Sequence, residues 1–330
     1  MQFRQKIRNI AVASLVAIVG VSAVLVGQSY AQQAAEPSTA NTLKVSPLRT
    51  EITADPGETK VVKIIVTNPS DSEVSVKPIQ NDFVADKDED GSPAIILDEN
   101  EYAENNSLKR FLVPLESFNV GPGESVTVEA TINVPADAEA GGYFGAVRFA
   151  PTSPDGGGQV NTSPSVASLI LLRVNGDVPE KLELTDFQVQ QAAKATNFLT
   201  TDKDISVLVR FKNDSKVQLA PFGMVSVQRG NDVVYAASFN SEEQKDNILP
   251  ASARRWNIPL KDIEGFGRYN VTATFTYGAS NKTIEVSQVF WVVPLPMIIG
   301  AVVALLLIIG VIVLIVLRAR RKKSGMSLGK

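Results

Sequence analysis

The run from Leu295 to Leu317 is about 23 residues without a charge, and it constrains this chain more than any other feature. A helix rising about 1.5 Å per residue over that run is roughly 35 Å long, enough to cross a hydrocarbon core of about 30 Å with some tilt. The core helix of a globular fold is a poor rival, because few such helices are apolar on every side for this length. Trp291 stands just before the run, and Arg318, Arg320, Arg321, Lys322 and Lys323 follow it at once. Basic residues resist translocation, so residues 295–317 read as one transmembrane helix and residues 318–330 as a basic cytoplasmic tail. The protein is then a single-pass protein of the cell membrane, with the preceding residues outside.

The N-terminus agrees. Arg4, Lys6 and Arg8 precede an almost wholly apolar, uncharged stretch from Ile10 to Gly27, and Ser29 and Ala31 are small residues at the −3 and −1 positions of a cleavage site. Residues 1–31 read as a signal peptide and residues 32–41 as a flexible leader. An uncleaved signal anchor would leave the rest of the chain on the same side of the membrane.

All 35 acidic residues lie between Glu36 and Glu285, while nine of the 32 basic residues lie in the two ends. The exterior therefore carries about 12 more negative than positive groups. Such a surface argues against nucleic acid as a partner, because phosphate binding needs basic residues. The chain has neither histidine nor cysteine. That removes Ser-His-Asp triads, Cys-His pairs, His-ligated zinc and thiolate sites together. No other catalytic motif and no cofactor-binding motif appears, so the chain reads as a non-enzyme. The lack of cysteine in an exported sandwich also favours a bacterial source. Sequons begin at Asn105, Asn161, Asn213, Asn270 and Asn281; they matter only in a host that glycosylates them.

Outside the apolar ends the pattern is that of strands. Val126, Val128, Ala130, Ile132 and Val134 alternate with polar residues, as do Tyr269, Val271, Ala273, Phe275 and Tyr277. A period of two over nine residues is a half-buried strand. Tight turns separate such runs at Asp55-Pro56-Gly57-Glu58, Asn68-Pro69-Ser70-Asp71 and Gly121-Pro122-Gly123-Glu124, where Pro fixes φ and Gly supplies a positive one. Many short strands with frequent turns indicate an all-β ectodomain of two immunoglobulin-like antiparallel β-sandwiches. The stretch Pro151 to Ser165 resembles a linker, but the apolar strands Tyr143–Phe149 and Val166–Val174 on either side need each other to cover their backbone groups. It is therefore read as a long hairpin loop, with the sandwiches at 42–176 and 178–290.

One constellation suggests metal. In Asp86-Lys87-Asp88-Glu89-Asp90-Gly91 the carboxylates of Asp86, Asp88 and Asp90 alternate before a glycine, like the first half of a calcium loop. The bidentate Glu needed at the twelfth position is absent, since Leu97 stands there. The competing reading is an exposed acidic hairpin turn.

Val45-Ser46-Pro47-Leu48, the Pro56-Gly57 and Gly121-Pro122-Gly123 turns, and Gly141-Gly142-Tyr143-Phe144-Gly145-Ala146-Val147 resemble the peptidoglycan-binding domain of WxL-interacting proteins. Phe211-Lys212-Asn213-Asp214, Ile248-Leu249-Pro250-Ala251-Ser252-Ala253-Arg254 and Gly267-Arg268-Tyr269-Asn270-Val271 resemble that family's second, host- or partner-binding domain. Ala251 departs from it, because Gly commonly follows that Pro. The resemblance implies partners of two kinds, peptidoglycan and a surface or host protein. It assigns no ligand-binding residue here. The chain has no Trp-x-Leu tripeptide of its own. The leading expectation is a membrane-anchored surface binding or scaffold protein. The alternatives are a single-pass subunit or receptor of a membrane complex, and a pilus-chaperone-like sandwich protein. The terminal helix speaks against the last, because a chaperone travels with its client.

Overall fold

A computed structural model of the chain describes residues 43–152, 165–200, 204–263 and 265–324, with side chains as far as Arg318. The signal peptide, the leader, the Gly156-Gly157-Gly158 loop, Asn161 and the last six residues of the tail lie outside the described residues.

Residues 43–174 build a first β-sandwich. Its strands are β1 (Lys44–Ser46), β2 (Arg49–Ala54), β3 (Thr59–Thr67), β4 (Val74–Ala85), β5 (Pro93–Ile95), β6 (Phe118–Val120), β7 (Ser125–Asn133), β8 (Gly141–Thr152) and β9 (Val166–Val174). One sheet runs β1-β3-β7; the other runs β2-β9-β8-β4-β5, with β6 also on β4. Alternation drives the closure. Val62, Ile64 and Val66 of β3 and Val128, Ala130 and Ile132 of β7 turn inward to meet Val76, Phe149, Ile170 and Leu172 of the opposite sheet. The turns form where Pro and Gly stand: the Glu58 N–H donates to the Asp55 carbonyl at 3.0 Å, and Gly57 takes φ +85°.

β8 and β9 pair antiparallel over Gly141–Phe149 and Val166–Val174. Not every pairing is antiparallel. β2 lies parallel to β9, although β1 is antiparallel to β3. The reason is Pro47, which has no N–H for a ladder. The chain breaks there and crosses from one sheet to the other. The Ser168 hydroxyl donates to the Pro47 carbonyl at 2.7 Å and seals the crossing.

Residues 182–292 form a second sandwich. Its strands are β10 (Leu182–Gln191), β11 (Lys194–Ala195), β12 (Phe198–Leu199), β13 (Ile205–Asn213), β14 (Phe222–Arg229), β15 (Asp232–Phe239), β16 (Ala253–Pro259), β17 (Gly267–Tyr277) and β18 (Lys282–Val292). The sheets run β11-β10-β13-β16 and β12-β18-β17-β14-β15, with β12 parallel to β18. Phe211 and Phe275 meet edge to face at 5.0 Å across this core, and Phe239 lies 5.1 Å from Phe275.

Both sandwiches use one polar device. Asn68 follows β3, and its fully buried amide donates to the carbonyls of Ser72, Val120 and Gly121, while its oxygen accepts from the Ser70 N–H and hydroxyl. Asn213 ends β13, equally buried. It donates to the Val217 and Ile248 carbonyls, each at 2.8 Å, and accepts from the Ser215 N–H and hydroxyl. Each Asn ties together the backbone acceptors of the loops around it and so helps to satisfy polar groups that burial takes from water.

After β18 the chain enters α1 (Leu295–Ser324) within two residues. Residues Leu295–Arg318 of α1 are long and apolar enough to cross a membrane, with a mean hydropathy of 3.4 and no residue buried against the sandwiches.

Candidate functional site

The sandwiches share a third, smaller apolar cluster. Phe83, Phe144, Ala146 and Leu171 stand on the outer face of the first sandwich's larger sheet, and Leu249 of the second sandwich packs against them. This explains why β8 and β9 read as almost unbroken apolar runs: both of their faces are covered.

Polar contacts fasten the same interface. The loop carrying Asp86, Asp88 and Asp90 reaches across it. Glu89, at its tip, accepts from Arg210 Nη2 at 2.6 Å and Nε at 2.7 Å. The Glu89 carbonyl accepts from the Arg255 N–H at 2.7 Å, and the Asp88 carbonyl from the Arg255 side chain at 2.8 Å. The loop thus covers the open edge of β16. Near the interdomain passage Arg173 of β9 pairs with the buried carboxylate of Glu180 at 3.0 Å. On the far side the Gly142 N–H donates to the Lys216 carbonyl at 2.8 Å, an approach that the lack of side chains at Gly141 and Gly142 permits.

Of the two readings of the acidic loop, the geometry resembles the hairpin turn more than the calcium loop. Asp86, Asp88 and Asp90 are not gathered round a common point. Asp86 accepts from the next residue's N–H, Asp90 accepts from the Ser92 N–H at 2.7 Å, and Asp88 uses only its backbone on Arg255. Among the described residues no group of three or more carboxylates could hold a metal ion. Alternating carboxylates came from the demands of a turn and a docking contact. The Asp90 carboxyl is held below its ordinary range by the Ser92 hydrogen bonds, and Glu89 by Arg210.

Between this loop and the second sandwich lies a cavity of about 80 Å³. Its apolar walls are Phe83, Leu169, Leu171, Ile248 and Leu249. Two arginines line it, one from each sandwich. Arg49, at the start of β2, donates from Nη2 to the Lys245 carbonyl at 2.6 Å and pairs with Glu51 at 3.1 Å. Arg254, in β16, donates from Nη1 to the Asn247 carbonyl at 3.0 Å, pairs with Asp246 at 2.9 Å, and lies 4.9 Å from the Trp256 ring centroid. The segment Lys245-Asp246-Asn247 therefore holds one side of both guanidinium groups. The Nε atoms of Arg49 and Arg254 are buried with no hydrogen-bond partner among the described residues. Burial pushes the Arg254 guanidinium below its ordinary value, and the charge of Arg49 adds to that. A buried, unpaired guanidinium N–H is costly, and a carboxylate is its natural complement. The cavity also shares Asn247 with an open groove along Glu51, Ala220, Glu243, Gln244 and Lys245.

Sequence reasoning did not single out this pair. Its signals were indirect. Arg49 directly follows the Val45–Leu48 motif, and Arg254 closes the Ile248–Arg254 motif. Within that second motif Ala251 adopts φ +54°, the left-handed region that a glycine would enter freely.

No protein-family model matches the chain, and no curated protein matches it. Among solved structures the chain is similar to the class 5 fimbriae chaperone CfaA, at 13% identity over 77% of this chain and 100% of that one, with a TM-score of 0.39. It is similar to the CupB2 chaperone of Pseudomonas aeruginosa, at 11% identity over 74% and 99%, with a TM-score of 0.33. It is also similar to a chain of the Salmonella enterica SafA pilin–SafB chaperone complex, at 11% identity over 76% and 96%, with a TM-score of 0.32.

Proposed function

We propose that this is a membrane-held cell-surface binding protein whose interdomain cleft receives an acidic group of a protein partner. The observation that carries the reading is the pair of arginines, Arg49 and Arg254, that line an apolar-walled cavity where the sandwiches meet, each with a buried Nε that has no hydrogen-bond partner among the described residues. The cavity has room for a carboxylate and little more. The adjoining groove runs on along the second sandwich and offers a track for the chain that bears the carboxylate. A free C-terminus or an Asp or Glu side chain, with apolar residues beside it, fits this chemistry. The partner is then a surface or host protein, and α1 keeps the binder at the membrane with its basic tail in the cytoplasm. A scaffold and a pilus-chaperone-like protein both require such a partner and differ in whether it is released.

A peptidoglycan ligand, which the WxL-interacting resemblance implies, has less to rest on. Glycan recognition uses exposed aromatic platforms. In the first sandwich Tyr102 is the one exposed aromatic side chain among the described residues, and Lys109 and Arg110 sit over its ring at 4.3 and 4.8 Å. Sedimentation of the protein with teichoic-stripped peptidoglycan tests that ligand directly.

The cleft reading is tested by calorimetric titration of the full chain in nanodiscs. Short apolar peptides with a free C-terminal carboxylate are compared with their amidated forms, and wild type with Arg254→Gln. Binding of the free acid should exceed that of the amide and be lost in the variant. Equal binding of acid and amide would sink the proposal.

A further inference from the structure

The end of the second sandwich that faces α1 carries a row of exposed side chains that a soluble domain has no reason to display. Phe198 is 64% exposed, Phe266 47% and Trp291 38%. They are neighbours. Phe198 of β12 is the register partner of Trp291 in β18, and the Phe266 ring lies 6.3 Å from that of Trp291. On the other side Trp291 has Arg268 of β17 as its register partner. Register partners on adjacent strands share a face of the sheet, so Phe198, Trp291 and Arg268 line up on the outer face. Their alternates Leu199, Val292 and Tyr269 are buried in the core.

The row is joined to the helix without slack. The Val293 N–H donates to the Leu199 carbonyl at 2.7 Å and the Leu295 N–H to the Thr200 carbonyl at 3.1 Å, so the β12–β18 contact continues to the first residue of α1. Three residues lie between Trp291 and Leu295, so the two are at most about 14 Å apart along extended chain. The apolar length of α1 already fills the hydrocarbon core, which places Leu295 near its boundary. The row therefore falls at the depth where tryptophan and other aromatics concentrate in membrane proteins, with an arginine at headgroup level.

We propose that Phe198, Phe266 and Trp291 form a foot that seats the second sandwich on the surface of the bilayer that α1 crosses, with Arg268 directed to lipid phosphates. The occupant of this apolar patch is the membrane because the patch is continuous with the membrane-spanning segment and carries the Arg268 cation beside Trp291. Seating at three points, together with the unbroken backbone contact into α1, holds the second sandwich at one tilt. The fastened interdomain contact then holds the Arg49–Arg254 cleft at a set height above the lipid.

The test uses the full chain reconstituted in bilayers, with and without lipids brominated near the headgroup. Trp291→Phe is the background, and Phe198→Trp or Phe266→Trp supplies the reporter. Trp256, partly buried against the core, is the internal reference. Both reporter sites are exposed, so the fold should be kept, which melting checks. In brominated lipid each added tryptophan should lose most of its emission, while Tyr102→Trp in the first sandwich loses none. Unchanged emission at both positions would show that the domain stands clear of the lipid. Blue-shifted emission without quenching, the mark of a protein partner or a second copy on the patch, would equally overturn the proposal.

Discussion

Glu89 and Arg210 lie 121 residues apart and meet through two hydrogen bonds of 2.6 and 2.7 Å, which fasten a loop of the first sandwich to a strand of the second. Because Arg210 donates to it, the Glu89 carboxyl is held below its ordinary 4.5, against a smaller opposing effect of burial. A carboxylate lowered in the folded state contributes its stability above the unfolded value and loses it as pH falls through the folded one. Interdomain docking should therefore be complete at neutral pH and weaken in acid below 4.5. Glu89→Gln should cost about 1–2 kcal/mol at neutral pH and remove this acid dependence. Hydrogen exchange at the Arg255 amide, which donates to the Glu89 carbonyl, reports it; an amide that exchanges alike in both proteins would refute the docking role.

Gly91→Ala should loosen the same contact. Gly91 has φ +90°, and a Cβ placed there would stand 2.0 Å from Cζ of Arg254. The expected loss is about 1–3 kcal/mol, part from the backbone and part from the clash. Thermal melting should show the combination with Arg254→Ala to be less harmful than the sum of the two single changes, because the clash is then relieved. Strict additivity would mean the two residues do not press on each other.

Asn213→Ala should be among the most damaging changes in the second sandwich. It removes the amide donor from the Val217 and Ile248 carbonyls, leaving the first with a 3.4 Å contact from the Ser215 hydroxyl and the second with the Leu219 N–H, and it frees the Ser215 groups that the Asn213 oxygen holds. A loss of about 2–4 kcal/mol is expected, readable by denaturant unfolding. Asn68→Ala should behave alike in the first sandwich, where one amide donates to three carbonyls. A loss below half a kcal/mol, the size of an ordinary surface substitution, would mean that water replaces the amide.

A chain ending at Pro151 lacks β9, which pairs with β8 on one side and β2 on the other. It should show no cooperative melting, whereas a chain ending at Gly176 should melt cooperatively. Similar melting of the two would show that the sheet closes without β9.

The last expectation concerns topology. Protease added to intact, wall-stripped cells should digest the sandwiches and spare a tag placed after Lys330, because the basic cluster from Arg318 holds that end inside. Loss of the tag from outside would reverse the orientation.

Much of the architecture was legible because its causes are local. Alternation in β3, β7, β13 and β17 names a strand and its inward face within nine residues or so. A Pro-Gly pair makes its own turn, and an apolar run such as Leu295–Leu317 requires a helix wherever it lies. The parallel edge at β2 was less visible, since Pro47 shows that a strand breaks but not where the chain pairs next. The interdomain site was hidden for a stronger reason. Arg49 and Arg254 each look like an ordinary polar residue at a strand's start or edge, and Glu89 looks like one more acid in an acidic turn. Their roles depend on contacts across the interface, which involve residues 121 to 196 positions apart. No local period or motif encodes such a distance. Only when the outer face of the first sandwich's larger sheet closes on Leu249 do the guanidinium groups lose water, and only then does an unpaired Nε acquire the free-energy cost that makes it a site.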